Sequence, residues 1–343
     1  MTDTKAIGTK SVARLMGKWL LLLLVLGCLW LGGNVFYFLN SPASRTAATI
    51  VITISPGMSL DEVAGLLQCK GLVRSARKFS LLVRVKGLAR SIKAGEYELS
   101  TGLRPGQLLD KLVQGSVMVH QVTFPEGVTV SQIARILESA GLARAEHVLA
   151  AANDRKIAEA LGIPAASLEG YLFPDTYRFA RDLPASRILQ TMVARFKHYF
   201  GEAYEAKARK LGLTRHQVVI LASIVEKETA VASERPLIAG VFLNRLKRGI
   251  PLQSDPTVIY GLPGFDGNLT RADLKADTPY NTYTRKGLPA GPICNPGAAA
   301  LKAVLYPTAT PYLYFVAKKD GTHYFSATLA EHNAAVARYQ KRR

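Results

Sequence analysis

Between Trp19 and Leu39 the chain carries no charged side chain, and a run of that length reaches across a bilayer hydrocarbon core of about 30 Å when helical. Lys5, Lys10, Arg14 and Lys18 precede it against a single acid, Asp3. That bias places the N-terminus in the cytoplasm and everything beyond residue 40 on the far side of the membrane. Trp30, Phe36, Tyr37 and Phe38 are expected at or near the far interface, and Cys28 within the bilayer. A cleaved signal peptide, with Ser41 and Ala43 as a small-residue site, is the competing reading. The apolar run is about twice a normal signal-peptide core and ends in bulky aromatics, which favours an uncleaved anchor.

This location decides what the charge means. A formal net charge of +19 over 343 residues implies anionic partners. Export makes nucleic acid an unsuitable one, and leaves anionic lipid and the carboxylates of a cell wall. Outside the membrane run only Cys69 and Cys294 remain, far apart in sequence, so one disulfide is possible and no disulfide framework exists.

The spacing of turns and apolar positions predicts an α+β chain. Residues 1–18 form a cytoplasmic tail, 19–39 the transmembrane helix and 40–49 a small, polar linker. Three strand–Gly turn–helix units follow, with helices carrying Leu60/Val63/Ala64/Leu67, Pro105/Leu108/Leu109/Leu112 and Val130/Ile133/Ala134/Leu137. Ser59 with Glu62 and Thr129 with Gln132 are capping boxes that start two of these helices, and Lys70-Gly71 and Ala140-Gly141 stop them. The first two units make a small module at 50–116 that resembles the peptidoglycan-binding LysM fold, a spacer domain being the plain alternative. Residues 117–343 then form a mixed α/β domain. It is expected to hold a strand at 117–123, helices at 130–139, 187–200 and 215–227, a helix at 299–305, strands at 312–317 and 323–325, and a closing helix at 329–338. Within it, residues 251–296 are dense in Gly, Pro, Asp, Asn, Thr and Tyr, a polar and aromatic stretch too long to be idle.

Most mechanisms find no support in the residue pattern. None of His120, His147, His198, His216, His323 and His332 forms an i, i+4 ligand pair, so each reads as a surface or packing histidine and no metal or other cofactor is expected. There is no nucleophile elbow and no phosphate-cradling glycine loop, and Cys294 has no neighbouring histidine. Carboxylate chemistry survives. The apolar run Val218–Val225 ends in Glu226-Lys227-Glu228. At about 100° per residue Leu221, Ile224, Val225 and Glu228 share one face, while Glu226 falls on the polar side. A carboxyl on an apolar face is the setting for a raised pKa and general-acid chemistry, and an ordinary helix end reaching solvent is the plain alternative. The candidate substrate-binding set is Glu226, Ser233, Glu234, Arg235, Asn244, Arg245, Gln253, Asp255, Thr257, Tyr260, Tyr280, Asn281 and Tyr283. Aromatic faces and amides beside an acid suit a sugar polymer. Asp255-Pro256 reads equally as a turn or a helix start.

The blocks LASIVEKETAVASER (221–235), VFLNRL (241–246), LQSDPTVIYG (252–261), YNTYT (280–284), GLPAGPICNPG (287–297) and YLYFVA (312–317), with EGYLFPDTY (169–177) upstream, resemble the MltG (YceG-like) endolytic murein transglycosylases. The resemblance implies a catalytic glutamate at Glu228. It further implies action on peptidoglycan glycan strands near the membrane, alongside peptidoglycan synthases (penicillin-binding proteins), with the catalytic domain periplasmic or extracytoplasmic. Ala290 stands where a second proline is common, and Ser254 where threonine also occurs; neither is expected to touch the acid. Glu234 and Asp255 remain possible second carboxylates, so a hydrolytic muramidase on the same scaffold stays open, as does a non-catalytic wall-binding scaffold.

Overall fold

The computed structural model describes residues 5–44, 46–181 and 183–340, with side chains from residue 18 onward; the first tail residues, Asp3 included, lie outside the described residues. The chain divides into two compact units, 1–119 with 180–182, and 120–179 with 183–343.

The first unit opens on α1 (Lys5–Asn40). Trp19, Leu20, Leu23, Leu26 and Trp30 are exposed along it, and Lys18–Asn40 is one helix long and apolar enough to cross a membrane. Phe38, near its end, is buried in the core of this same unit. There β1 (Thr49–Ile54) leads through a turn into α2 (Leu60–Cys69), then α3 (Ala76–Val85), β2 (Gly95–Ser100) and α4 (Pro105–Gln114). β1 and β2 pair antiparallel with Ile52 opposite Tyr97. Their period of two turns Ile52, Ile54, Tyr97 and Leu99 inward against Leu67, Phe79, Val83 and Leu108. Each such side chain contributes roughly 1.5–3 kcal/mol by leaving water. The Ser59/Glu62 capping box closes α2 at its start, with Glu62 Oε2 accepting from Ser59 N at 2.7 Å. Sequence periodicity did not anticipate α3, whose Ser75 N-cap precedes only two turns of apolar spacing.

The second unit begins with β3 (His120–Thr123), α5 (Val130–Ser139), α6 (Ala145–Ala152), α7 (Arg155–Ala160), β4 (Thr176–Phe179), α8 (Ala185–Tyr199) and α9 (Glu202–Lys210). It continues with α10 (Arg215–Glu228), α11 (Arg235–Lys247), α12 (Asp255–Gly261) and a 3-10 turn at Asp273–Lys275. It closes with α13 (Ala298–Leu305), the hairpin β5 (Tyr314–Ala317) and β6 (His323–Ser326), and α14 (Leu329–Tyr339). β3 pairs with β4 and β5 with β6, both antiparallel.

α10 is the axis of this unit. A Thr214/Gln217 capping box starts it, and α9, α11, α12 and α13 pack around it. Every residue from Val218 to Val225 is buried. The expected amphipathic stripe is therefore wrong: a helix enclosed on all sides is apolar all round. The correction carries to Glu226, which does not point to a polar side but inward. The 287–297 segment lies directly on this helix: Ile293 N donates to Ser223 Oγ at 3.0 Å, and the Cys294 thiol to Ser223 O at 3.3 Å. Cys69 and Cys294 are both free thiols, the first exposed and the second buried.

Gly170 shows how tightly the 169–177 segment is fitted here. Its φ is +86°, and a methyl added to it would stand 2.6 Å from Pro292 and 2.7 Å from Val219. Left-handed backbone costs an alanine about 1–2 kcal/mol and overpacking another 1–3. Gly170→Ala is expected to destabilise the second unit by about 3 kcal/mol, read from denaturant midpoints of the full chain; a loss under about 0.5 kcal/mol would contradict this packing.

Candidate functional site

α10 has no glycine stop. It ends where Thr229 turns to extended backbone, so Glu228 is its last helical residue. Ser254, the N-cap of α12, does not cap its own helix; its hydroxyl instead donates to Glu228 Oε1 at 2.5 Å. This overturns the expectation that position 254 stands clear of the acid. As a residue Glu228 is half-buried, but its carboxyl is enclosed. Burial pushes its pKa up to about 7, the Ser254 hydrogen bond opposes that, and the negative charge of Asp255 adds to it. The carbonyl end of α10 works in the same upward direction, because a helix C-terminus carries partial negative charge.

Glu228 opens on a cleft of about 480 Å³. Arg245, Gln253, Asp255 and Tyr283 share its lining, so five of the residues singled out in the sequence are brought together. Tyr283 donates its hydroxyl to Asp255 Oδ1 at 2.5 Å. Gln253, with φ of 52°, is the one non-glycine residue at positive φ among those described. This conformation costs of order 1–2 kcal/mol and is held by neighbours: Gln253 N donates to Thr282 O (3.0 Å) and Arg245 Nη2 to Gln253 Oε1 (2.7 Å). The far wall, from β5, β6 and α14, includes Tyr314, His323 and His332. Sequence reading missed these because only the hairpin and the closing helix carry them to the acid.

Other predicted residues do structural work behind the cleft. Glu234 accepts from the backbone N–H of His323 (2.9 Å) and lies 2.7 Å from its Nδ1. Asn244 Nδ2 donates to the carbonyls of Thr310 (2.8 Å) and Tyr312 (3.1 Å). Thr257 and Thr282 share a hydroxyl hydrogen bond of 2.8 Å, and Asn281 Nδ2 reaches the carbonyls of Leu274 (3.1 Å) and Ala276 (2.7 Å). Tyr260 and Tyr280 pack edge-to-face at 4.8 Å. Ser233 is exposed on the turn between α10 and α11. Glu226, with a side chain 4% exposed, pairs with Arg235 at 3.0 Å and accepts from Gly297 N at 2.8 Å, at the start of α13. Its carboxylate is thus committed to holding three helices together.

A carboxyl not singled out in the sequence, Glu169, is 5% exposed. It accepts from Val130 N (3.1 Å), Tyr260 OH (3.1 Å) and Asn295 Nδ2 (2.9 Å), and so ties the 169–177 block to α5, α12 and the 287–297 loop. Burial pushes its pKa up to about 7 as well.

A sequence model of the YceG-like family matches residues 52–338. The chain belongs to the YceG-like family. It is 34% identical over 328 residues to the endolytic murein transglycosylase of Bacillus subtilis (strain 168), covering 90% of this chain and 91% of that protein. The endolytic murein transglycosylase of Streptococcus pneumoniae serotype 2 is 30% identical over 84% of this chain, which spans 58% of that longer protein. A crystal structure of a YceG-like protein from Listeria monocytogenes superposes with a TM-score of 0.59 at 34% identity, over 84% of this chain and 100% of that one.

The raised pKa has a stability consequence whose sign follows from linkage. In the window from 4.5, the ordinary value, to about 7, the folded state keeps protons on Glu228 and Glu169 that the unfolded chain has lost. Stability is therefore full below the lower value and falls as pH rises through the upper one. Glu228→Gln is expected to leave the melting temperature nearly unchanged at pH 4.5 and to raise it at pH 8, by up to about 3 kcal/mol of stability. Thermal unfolding at the two pH values checks it; an equal effect at both would contradict an enclosed acid.

Proposed function

We propose that this chain is an endolytic lytic transglycosylase acting on peptidoglycan, with Glu228 as its catalytic acid and base. The observation that carries the reading is an enclosed carboxyl with a pKa pushed up to about 7, opening on a cleft, in a member of a family whose relatives are named endolytic murein transglycosylases. Protonated Glu228 gives its proton to the glycosidic oxygen between N-acetylmuramic acid and N-acetylglucosamine, and the C1–O bond breaks. The carboxylate left behind takes the proton of the muramic 6-hydroxyl, whose oxygen closes onto C1 as a 1,6-anhydro ring. Because that nucleophile is part of the substrate, no second carboxylate is needed to place a water. Ser254 holds the acid at the cleft edge, and the Asp255–Tyr283 pair forms part of the rim.

Supporting the cellular placement, α1 is one helix long and apolar enough for a single-pass anchor, with the cationic flank Lys5 to Lys18 on the cytoplasmic side. The catalytic unit then works outside the cytoplasmic membrane on nascent strands, beside peptidoglycan synthases, and its cuts end strand growth. The two helices between the paired strands at residues 49–100 support a LysM-like reading of the first unit.

Asp255, in the same cleft as Glu228, is the observation that favours a muramidase instead. Muropeptide mass spectrometry separates the two: 1,6-anhydro ends are expected, and reducing ends alone would establish hydrolysis. Glu228→Gln is expected to stay folded and lose cleavage by at least about 100-fold, the lower end for loss of general acid–base catalysis; residual activity within tenfold would refute the role of Glu228. The wild-type rate should fall above about pH 7, as Glu228 loses its proton. Glu226→Gln is expected to behave differently, losing about 3 kcal/mol of stability because the largely enclosed Arg235 is left without its partner, while folded molecules keep cutting.

A further inference from the structure

Arg245 raises a question that acid–base chemistry at Glu228 does not answer. It is 6% exposed in the last turn of α11, and none of the ion pairs among the described residues involves it. Two of its N–H groups are used, Nη1 on Leu252 O (2.8 Å) and Nη2 on Gln253 Oε1 (2.7 Å), and Nε is buried without a partner. The guanidinium lies over the Tyr314 ring, 5.2 Å from its centroid, and the His332 imidazole stacks on the same ring at 5.2 Å. His332 Nδ1 is likewise buried without a partner. All three side chains line the cleft that holds Glu228.

A guanidinium removed from water without a counter-charge is costly, and burial already presses Arg245 towards its neutral form. Its planar fork matches a carboxylate, which can take two N–H groups at once, and the aromatic shelf fixes its plane. The natural compensation is an anion that arrives with the substrate. We propose that Arg245, on its Tyr314–His332 shelf, is a subsite for a carboxylate carried by the muramyl side chain of the glycan, so that the cleft selects strands bearing acidic stem peptides. The proposal rests on the murein reading above. A purely structural Arg245, clamping residues 252 and 253, would affect every substrate in proportion; a subsite adds a further loss for those that carry the anion.

The experiment uses the full-length protein and three preparations of uncrosslinked murein strands: native peptides, the same peptides with their carboxyls amidated, and peptide-free strands that keep only the lactyl carboxylate. Wild-type kcat/KM is expected to be roughly tenfold lower on amidated than on native strands, the scale of one charge-assisted hydrogen bond. Arg245→Met should lower the native-strand value roughly tenfold more than the amidated-strand value, flattening the ratio whatever loss both strands share from the contacts to Leu252 and Gln253. Peptide-free strands that behave like amidated ones place the anion on the stem peptide; ones that behave like native strands, through the lactyl carboxylate that is free only once the peptide is gone, would overturn selection for acidic stem peptides. Equal wild-type rates on native and amidated strands, or a proportional fall on both in Arg245→Met, would overturn the subsite. A second measurement leaves Arg245 in place: the melting temperature of Glu228→Gln should rise with a disaccharide–tripeptide and not with its amidated form, and equal rises would overturn the proposal. Failure of the wild type to cut any strand would count against the murein reading, while the melting comparison still decides the subsite.

Discussion

The Ser254–Glu228 hydrogen bond joins two requirements that pull against each other. In the role proposed for it, the carboxyl must be enclosed enough to keep its proton near neutral pH, and yet be fixed in direction and reachable by a glycan. Enclosure comes from α10, whose whole apolar run is buried. Direction comes from a single neutral hydroxyl. An arginine or lysine in place of Ser254 would orient the carboxyl more strongly, but would hold it ionised and remove the acid. A neutral donor lowers the pKa only modestly, and burial still wins.

Everything that places Ser254 lies in the loop around it, and the consecutive residues 280–283 divide that work. Tyr280 packs on Tyr260, and Asn281 staples the loop to the carbonyls of residues 274 and 276. The Thr282 hydroxyl accepts from Ser254 N while its carbonyl accepts from Gln253 N, and Tyr283 holds Asp255. Gln253 can persist at positive φ because these bonds and Arg245 over-determine it. The Tyr/Asn-rich stretch that suggested sugar contacts is thus largely a scaffold for the acid, and only Gln253, Asp255 and Tyr283 of that stretch reach the cleft.

What could be read from the residues follows from how local each determinant is. The capping boxes at Ser59 and Thr129 and the stops at Gly71 and Gly141 act within one helical turn, and all are present. The same holds for the closing elements from residue 298 onward, whose bounds fall within two residues of expectation. Helical phase at α10 was a weaker guide. It presumed a solvent side, and with Val219, Ile220, Ala222 and Ser223 all buried there is none, so Glu226 lies inside with Arg235. Glu228 differs from Glu226 because the helix ends at it, beside an incoming N-cap. His323, Tyr314 and His332 carry no local signal at all; their place in the cleft depends on a hairpin and a helix nearly a hundred residues after Glu228.

The two walls of the cleft are held apart by one element. The N-cap of α11 is Glu234, whose carboxylate grips His323 on the hairpin, and Glu234 adjoins the turn that leaves α10. α11 ends with Asn244, bound to the carbonyls that lead into β5, and Arg245, bound to the backbone just before Ser254. Thirteen helical residues, about 20 Å at 1.5 Å per residue, therefore connect the acid, the strained 252–254 segment and the far wall through side chains at both helix ends. A helix does not stretch, so the spacing between Glu228 and the opposite wall is set by α11 and not by the loops that line it. This explains why α11 has Glu234 at its N-cap and Asn244 in its last turn, two polar residues that the chemistry at Glu228 does not itself require.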